Sequence, residues 1–324
     1  MDRVNIWDGW RGMAIICLLC GHFVDTPWIW EDRFGVDAFF VLSGMLISTI
    51  LFDKEMNLKD FYIRRFSRII PGLALFLLIS YSFAMITGLE FETKEFIANL
   101  TFFRTYYPQN PHIWDTDVPV QHLWSLNIEE HAYVIMSLLT LLFFRKNQAG
   151  YMLIALGLIS IGICFYYYFN EEYAPEAYRI RTESSVSFIF LSAGYTLFKH
   201  NLNNRIYAIL PGITFLVAVG CYLEIMPDWL SFSLSPLLLA FTIHHLREAA
   251  WIFCGFLELK IIRLMGIWSY SIYLWQQPFY MYNWLVPGSK ISFLLLSIAV
   301  GALSYYFFEQ PMRSWINKRW TGNV

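Results

Sequence analysis

The chain has 324 residues, of which 57% are hydrophobic, 19% aromatic and only 15% charged. Apolar runs long enough to cross a bilayer recur from end to end, which excludes a soluble domain and predicts a polytopic membrane protein. The net charge of -2 carries little information, because the placement of charge decides topology and its sum does not.

Ten spans are expected, at about 10–25, 34–52, 70–88, 122–144, 150–169, 185–199, 206–224, 230–246, 264–285 and 291–308. The predicted fold class is all-α, a single transmembrane domain over 1–324 with both termini in the cytoplasm. With that orientation 17 of the 23 Lys and Arg lie inside, among them Lys54, Lys59, Arg145, Lys146 and Lys318. Six lie outside: Arg33, Lys94, Arg104, Arg179, Arg181 and Lys290. That is the positive-inside pattern. Acidic residues gather on the outer side, as at Asp25, Glu31, Asp32, Asp115 and Asp117. The stretch 89–121 is too polar to span and is expected to form an outer loop with a short interfacial helix. No cleavable leader is evident, so the first apolar segment is read as retained. The five cysteines lie in or beside apolar segments and are read as small buried hydrophobes, including the Cys17-x-x-Cys20 pair.

The first span contains Arg11 and, eleven residues later, His22. At about 100° per residue both point to one side of the helix, separated by roughly 16 Å along the axis. An ionisable side chain at that depth is expensive and marks a functional site. The second span reads Phe34-Gly35-Val36-Asp37-Ala38-Phe39-Phe40-Val41-Leu42-Ser43-Gly44. Asp37 and Ser43-Gly44 interrupt its apolar run, and Ser and Gly also serve close helix packing.

In the following loop, Phe61-Tyr62-Ile63-Arg64-Arg65-Phe66-Ser67-Arg68-Ile69-Ile70-Pro71, the apolar residues suit an interfacial helix and Pro71 the first turn of the next span. Arg65 and Arg68 share a face and have the geometry to grip phosphates. The competing reading is a basic flank touching anionic lipid heads. The fourth span opens His122-Leu123-Trp124-Ser125-Leu126-Asn127-Ile128-Glu129-Glu130-His131-Ala132-Tyr133. Its carboxylates either partner an arginine or orient and activate a histidine. The ninth, Trp268-Ser269-Tyr270-Ser271-Ile272-Tyr273-Leu274-Trp275-Gln276-Gln277-Pro278, carries aromatics and two glutamines to mid-span, which fits a lined cavity better than an interfacial belt. The tenth closes Leu303-Ser304-Tyr305-Tyr306-Phe307-Phe308-Glu309-Gln310-Pro311 before a basic tail, with Glu309 readable as plain interfacial charge.

These stretches, in this order, resemble the membrane-bound acyltransferase 3 family. Its members carry D-G-[LW]-R-G…H, then F-F-V-L-S-G, F-Y-x-R-R-x-x-R-I-x-P, L-W-S-L-x-x-E-E-x-x-Y, S-Y-S-x-Y-L-W-x-x-P and L-S-Y-x-x-[IF]-E-x-P. The likeness runs from Asp8 to Pro311. Each motif alone is weak; six in sequence are specific. The resemblance implies about ten transmembrane helices and transfer of an acyl group, usually acetyl, from cytoplasmic acyl-CoA to sugars of exported or surface glycans. It implies that Arg11 and His22 are the essential pair, that Arg65 and Arg68 (with Arg64 beside them) hold the acyl-CoA, and that Ser43, Glu129, Tyr133 and Tyr270 occupy motif positions. Arg181 with Glu183 loosely matches an R-x-D motif. Gln276 departs from the family, where many members have histidine. A titratable group is lost there, leaving Gln276 to donate hydrogen bonds to a sugar hydroxyl. No fused extracellular hydrolase-like domain is expected after the last span, unlike some members.

The expected site therefore has His22, Glu129 and Arg11 as catalytic residues, with Ser43, Asn127, Glu130, Tyr133, Tyr270 and Gln276 as substrate or oxyanion contacts. No bound cofactor and no metal are expected; acyl-CoA is a co-substrate. The expected partners are a carbohydrate or glycolipid acceptor and the lipid bilayer, with no nucleic acid, at the cell's inner (plasma) membrane. A glycolipid transporter or flippase would use the same polar interior as a conduit, but a carrier has no need of a phosphate-gripping R-x-x-R. A structural scaffold for a glycan-assembly complex gives no account of His22, Glu129 and Glu130 inside the membrane.

Overall fold

A computed structural model describes residues 5–24, 26–109, 112–143, 145–199, 207–282 and 290–320. Arg3, Asp25, Arg205 and the start of the seventh expected span lie outside the described residues. Among the described residues the regular structure is helical, and the only strand-like pairing given is an isolated antiparallel bridge between Ile29 and Leu223. In chain order the helices are α1 (Asn5–Phe23), α2 (Glu31–Ser48, continued by a π-helical turn Thr49–Asp53), α3 (Leu58–Thr87), α4 (Thr93–Leu100), α5 (Trp124–Leu142), α6 (Lys146–Phe169), α7 (Thr182–Ser185), α8 (Ser187–Lys199), α9 (Leu210–Gly220), α10 (Trp229–Ser233), α11 (Ser235–His244), α12 (Trp251–Glu258), α13 (Lys260–Met281), α14 (Lys290–Ser304, followed by a π-helical turn Tyr305–Glu309) and α15 (Gln310–Trp320).

A helix occupies each of the ten expected apolar segments. Four are long and apolar enough to cross a membrane by length and composition: Glu31–Asp53, Leu58–Thr87, Lys146–Phe169 and Lys290–Trp320. The eighth segment is broken at Leu234, just before Pro236, which sits in the first turn of α11 where its missing N–H costs nothing. The polar stretch 89–121 does hold a short helix, α4, opened by a capping box between Glu92 and Glu95.

Two boundaries differ from expectation. The predicted interfacial helix and third span are one 30-residue helix, with Pro71 inside it rather than at its start. The Asn57 side chain accepts from Asp60 N at its N-cap, and Gly88 closes it in the left-handed conformation at φ 74°. Pro71 has no N–H to give the Ser67 carbonyl four residues back, yet the helix runs on through it; separately, the Ile69 carbonyl accepts the Tyr270 hydroxyl at 2.7 Å. The basic tail is also helical, since α14, the π turn and α15 run on without a break to Trp320. The additional helix α12 had no counterpart in the hydrophobic periodicity, being only 8 residues long.

The chain divides into two compact units, one of residues 1–55 and 128–267, the other of 56–127 and 268–324. In the first, helices meet through glycines. A Cβ on Gly44 of α2 would lie 2.2 Å from the Ile189 carbonyl oxygen of α8, and one on Gly266 of α13 would lie 1.7 Å from the Asp8 carbonyl oxygen of α1. Small residues at such crossings let backbones approach closely. Gly266→Ala is therefore expected to lower stability by at least about 1–3 kcal/mol, because both colliding groups are backbone and have nowhere to go. Gly212→Ala, where nothing lies within 4 Å, is the neutral control. Thermal unfolding of the two variants in detergent checks this.

Candidate active site

In the first unit α1 carries Arg11 and His22, both half-buried. Arg11 Nη1 lies 3.2 Å from Asp8 Oδ1, and Asp8 is 4% exposed. Three residues apart on a helix, the two side chains are neighbours by construction, so Asp8 fixes the guanidinium at the start of the helix. Trp10, fully buried, donates its indole N–H to the Ala38 carbonyl at 2.9 Å and holds α1 against α2. The Ser43 hydroxyl of α2 donates to Glu129 Oε1 of α5 at 2.6 Å. Thus Ser43 and Gly44, adjacent in sequence, divide their work: the glycine packs against α8 and the serine orients a carboxylate. Glu130 is half-buried, and Tyr133 is buried one turn beyond Glu129. His131 Nδ1 pairs with Thr182 Oγ1 at 2.7 Å, beside the half-buried Arg181 and Glu183.

Behind these lies a second polar system that the sequence did not assign. Asp37 is fully buried; one of its oxygens, Oδ2, accepts from Arg33 Nε at 3.0 Å and from the Tyr222 hydroxyl at 2.8 Å. Arg33 also donates to the Arg179 carbonyl and the Ser185 hydroxyl, each at 3.0 Å. Asp37 was visible as an interruption of an apolar run. Arg33 is a neighbour at i, i+4 on the same helix, whereas Tyr222 comes from 185 residues away, which no local pattern reports. A third group is independent of both: the Tyr195 hydroxyl meets His245 Nε2 at 2.7 Å, and His245 Nδ1 donates to Glu248 Oε2 at 2.7 Å.

In the second unit α3 carries the three arginines near its N-terminal end. Arg65 and Arg68 are half-buried and Arg64 is exposed. Asn127 is fully buried, its Nδ2 donating to Thr105 Oγ1 at 3.2 Å. Tyr270 spends its hydroxyl hydrogen on the Ile69 carbonyl, tying α13 to α3 beside Pro71. Gln276, fully buried, donates to Gln277 Oε1 at 3.1 Å. Glu309, read from sequence as interfacial charge, is instead buried, with Oε2 accepting from Ser271 at 2.7 Å and Oε1 from Ser304 at 2.8 Å. The five cysteines are free, and among the described residues no group of three or more His, Cys, Asp or Glu is placed to hold a metal ion.

Ser43 is a positioning residue for Glu129 by this geometry. Ser43→Ala is expected to lower kcat about tenfold, the worth of one charge-assisted hydrogen bond, with the Michaelis constant for the donor within twofold of wild type. A steady-state comparison of the two proteins measures it.

The family model described as "Acyltransferase domain" (Acyl_transf_3) matches residues 4–309. Among curated proteins, O-acetyltransferase OatA of Staphylococcus aureus (strain NCTC 8325 / PS 47) is 26% identical over 342 residues, covering 94% of this chain and 56% of the relative. A putative O-acetyltransferase, SACOL0978 of Staphylococcus aureus (strain COL), is 24% identical over 343 residues with the same coverage. The chain thus spans about half the length of the curated relatives it matches. No solved structure matches it. With the family model covering nearly the whole chain, and all six motifs in place, the chain belongs to the acyltransferase 3 family.

Proposed function

We propose that the chain is a membrane O-acetyltransferase that moves an acetyl group from cytoplasmic acetyl-CoA to a hydroxyl of a cell-surface or exported carbohydrate. In this reading it crosses the inner membrane ten times with both termini in the cytoplasm. The observation that carries it is the ionisable set held inside one unit: His22, the Asp8–Arg11 pair and the Ser43–Glu129 pair. Buried charge of that kind is retained for chemistry.

A sugar hydroxyl is a poor nucleophile until a base takes its proton, and neutral imidazole suits that task near neutral pH. His22 is the base. Glu129, aimed by Ser43, stabilises the imidazolium that forms. The hydroxyl oxygen bonds to the acyl carbon, the carbon–sulfur bond breaks, and the proton held on His22 passes to the departing CoA thiolate. Arg65 and Arg68 hold the phosphates of the donor, with Arg64 adding a weaker, exposed contact. In a covalent version His22 itself carries the acetyl group between donor and acceptor. Asn127, Glu130, Tyr133, Tyr270 and Gln276 line the acceptor and oxyanion positions.

The test is release of CoA from labelled acetyl-CoA by the purified full chain, with and without sugar acceptors. Acceptor-dependent release with label recovered on the sugar supports the reading. Sugar movement across vesicles with no CoA release would establish a carrier in its place. Acid-quenched mass spectrometry of the enzyme mixed with donor alone decides between direct transfer and an acetyl-His22 intermediate.

A further inference from the structure

In the second unit the 3-10 turn Gln121–Leu123 and helix α13 build a polar interior of which the catalytic scheme uses only Gln276 and the nearby Asn127. Gln277 Nε2 donates to Gln121 Oε1 at 3.1 Å, and Gln276 Nε2 donates to Gln277 Oε1 at 3.1 Å, so three buried carboxamides form one chain. Gln121 Nε2 in turn reaches the Thr116 carbonyl at 2.9 Å. The Tyr273 hydroxyl meets the His122 carbonyl and sits 2.8 Å from Ser125 Oγ. Aromatic rings close the cluster: Phe76 stands edge-on to both His122 and Trp275 at 5.5 Å, and His122 lies 4.8 Å from Tyr273.

Two atoms are left with unused capacity. Asn127 is fully buried, yet its Oδ1 has no hydrogen-bond partner, and the buried indole Nε1 of Trp275 has none either. An unfilled acceptor and an unfilled donor in a dry interior each cost free energy unless something completes them. A bound molecule that both donates and accepts hydrogen bonds would complete them.

We propose that this cluster, with Gln121, His122, Trp275, Gln276 and Gln277 as its contacts and Asn127 on the first turn of the adjoining α5, is the subsite that binds one neutral sugar ring of the acceptor. The proposal rests on the acetyltransferase reading and on its topology, which puts the start of α5 and the far end of α13 toward the outer side, away from the donor arginines on the early turns of α3. Its chemistry fits a sugar. Hydroxyls both donate and accept, as carboxamides do, and aromatic faces cover the apolar C–H side of a ring. The six residues bring amides and rings, with no permanent charge, so a neutral pyranose matches them and the diphosphate of the donor does not. A site built to hydrogen-bond hydroxyls rejects analogues that lack them.

The experiment uses the purified full chain in lipid nanodiscs, acetyl-CoA as donor, and a panel of neutral methyl glycosides (glucoside, galactoside, mannoside, N-acetylglucosaminide) with their monodeoxy analogues. Gln277→Leu is expected to raise the acceptor KM about tenfold, leave the acetyl-CoA KM within twofold, and erase wild-type discrimination against one deoxy analogue. Gln277→Met keeps the length and puts no charge into the interior, which guards against misfolding. It removes the amide donor to Gln121 and is expected to give the same selective rise. Rises of equal size for donor and acceptor, or a lowered unfolding midpoint with both KM values unchanged, would show a structural network and overturn the proposal. So would failure of every glycoside in a wild-type enzyme that hydrolyses acetyl-CoA. If wild type uses no acetyl-CoA at all, the acetyltransferase reading falls and the subsite falls with it; a wild type that acetylates a glycoside while Gln277 variants keep its KM loses the subsite alone.

Discussion

His22→Ala is expected to lower kcat for acetyl transfer by a factor on the order of 10²–10⁴, the usual worth of a positioned general base. The acetyl-CoA KM should hardly move, because the proposed phosphate contacts, Arg65 and Arg68, are untouched. The side chain is half-buried in the last turn of α1, where its removal opens little of the core. Membrane insertion and the unfolding midpoint are therefore expected to stay near wild type, and both must be measured beside activity. Glu129→Gln separates the roles further. It keeps the volume and the ability to accept the 2.6 Å bond from Ser43 but loses the negative charge. If Glu129 stabilises an imidazolium, the variant loses rate while donor affinity survives. If His22 is the nucleophile, His22→Ala also abolishes the acetylated enzyme in the acid-quench experiment. Full activity in His22→Ala would remove His22 from the chemistry.

Much of the fold was legible because the bilayer writes itself into composition. Twenty or so apolar residues are needed for each crossing; each of the ten expected segments carries a helix, and among the described residues four helices are long and apolar enough to cross. What failed was punctuation. Pro71 reads as a helix start because a proline N–H is not needed in the first turn of a helix. In this chain Pro71 lies well inside α3 and the helix continues through it. The site was legible as residue types and illegible as pairs. Asp8, three residues before Arg11, needed only helical spacing to be found. The Ser43–Glu129 bond joins residues 86 apart and Tyr222–Asp37 joins residues 185 apart. Periodicity reports which face a residue occupies and carries nothing about which distant helix that face meets. Glu309 shows the same limit in reverse: at the end of an apolar run it looks like a surface charge, and only the serines on either side, Ser271 and Ser304, reveal it as buried.

The double variant Arg65→Ala with Arg68→Ala is expected to raise the acetyl-CoA KM on the order of a hundredfold or more, since each charge-assisted contact to a phosphate is worth about 1.5–3 kcal/mol. Both side chains are half-buried along α3, whereas Arg64 is exposed and its loss should cost less than either. The rival reading, a basic flank on anionic lipid, predicts a different pattern: an unchanged KM, with insertion or stability that depends on the anionic lipid content of the nanodisc. The two are separable in one experiment, because the donor can be shortened. Acetyl-pantetheine keeps the thioester and its arm but lacks the nucleotide and its phosphates. If the arginines grip phosphate, wild type should handle acetyl-pantetheine as poorly as the double variant handles acetyl-CoA, and the double variant should suffer no further loss on the shortened donor. That non-additivity is the signature of an interaction between the deleted groups. Equal and independent losses from the mutation and from the truncation would place the arginines outside the donor site, whatever their effect on activity.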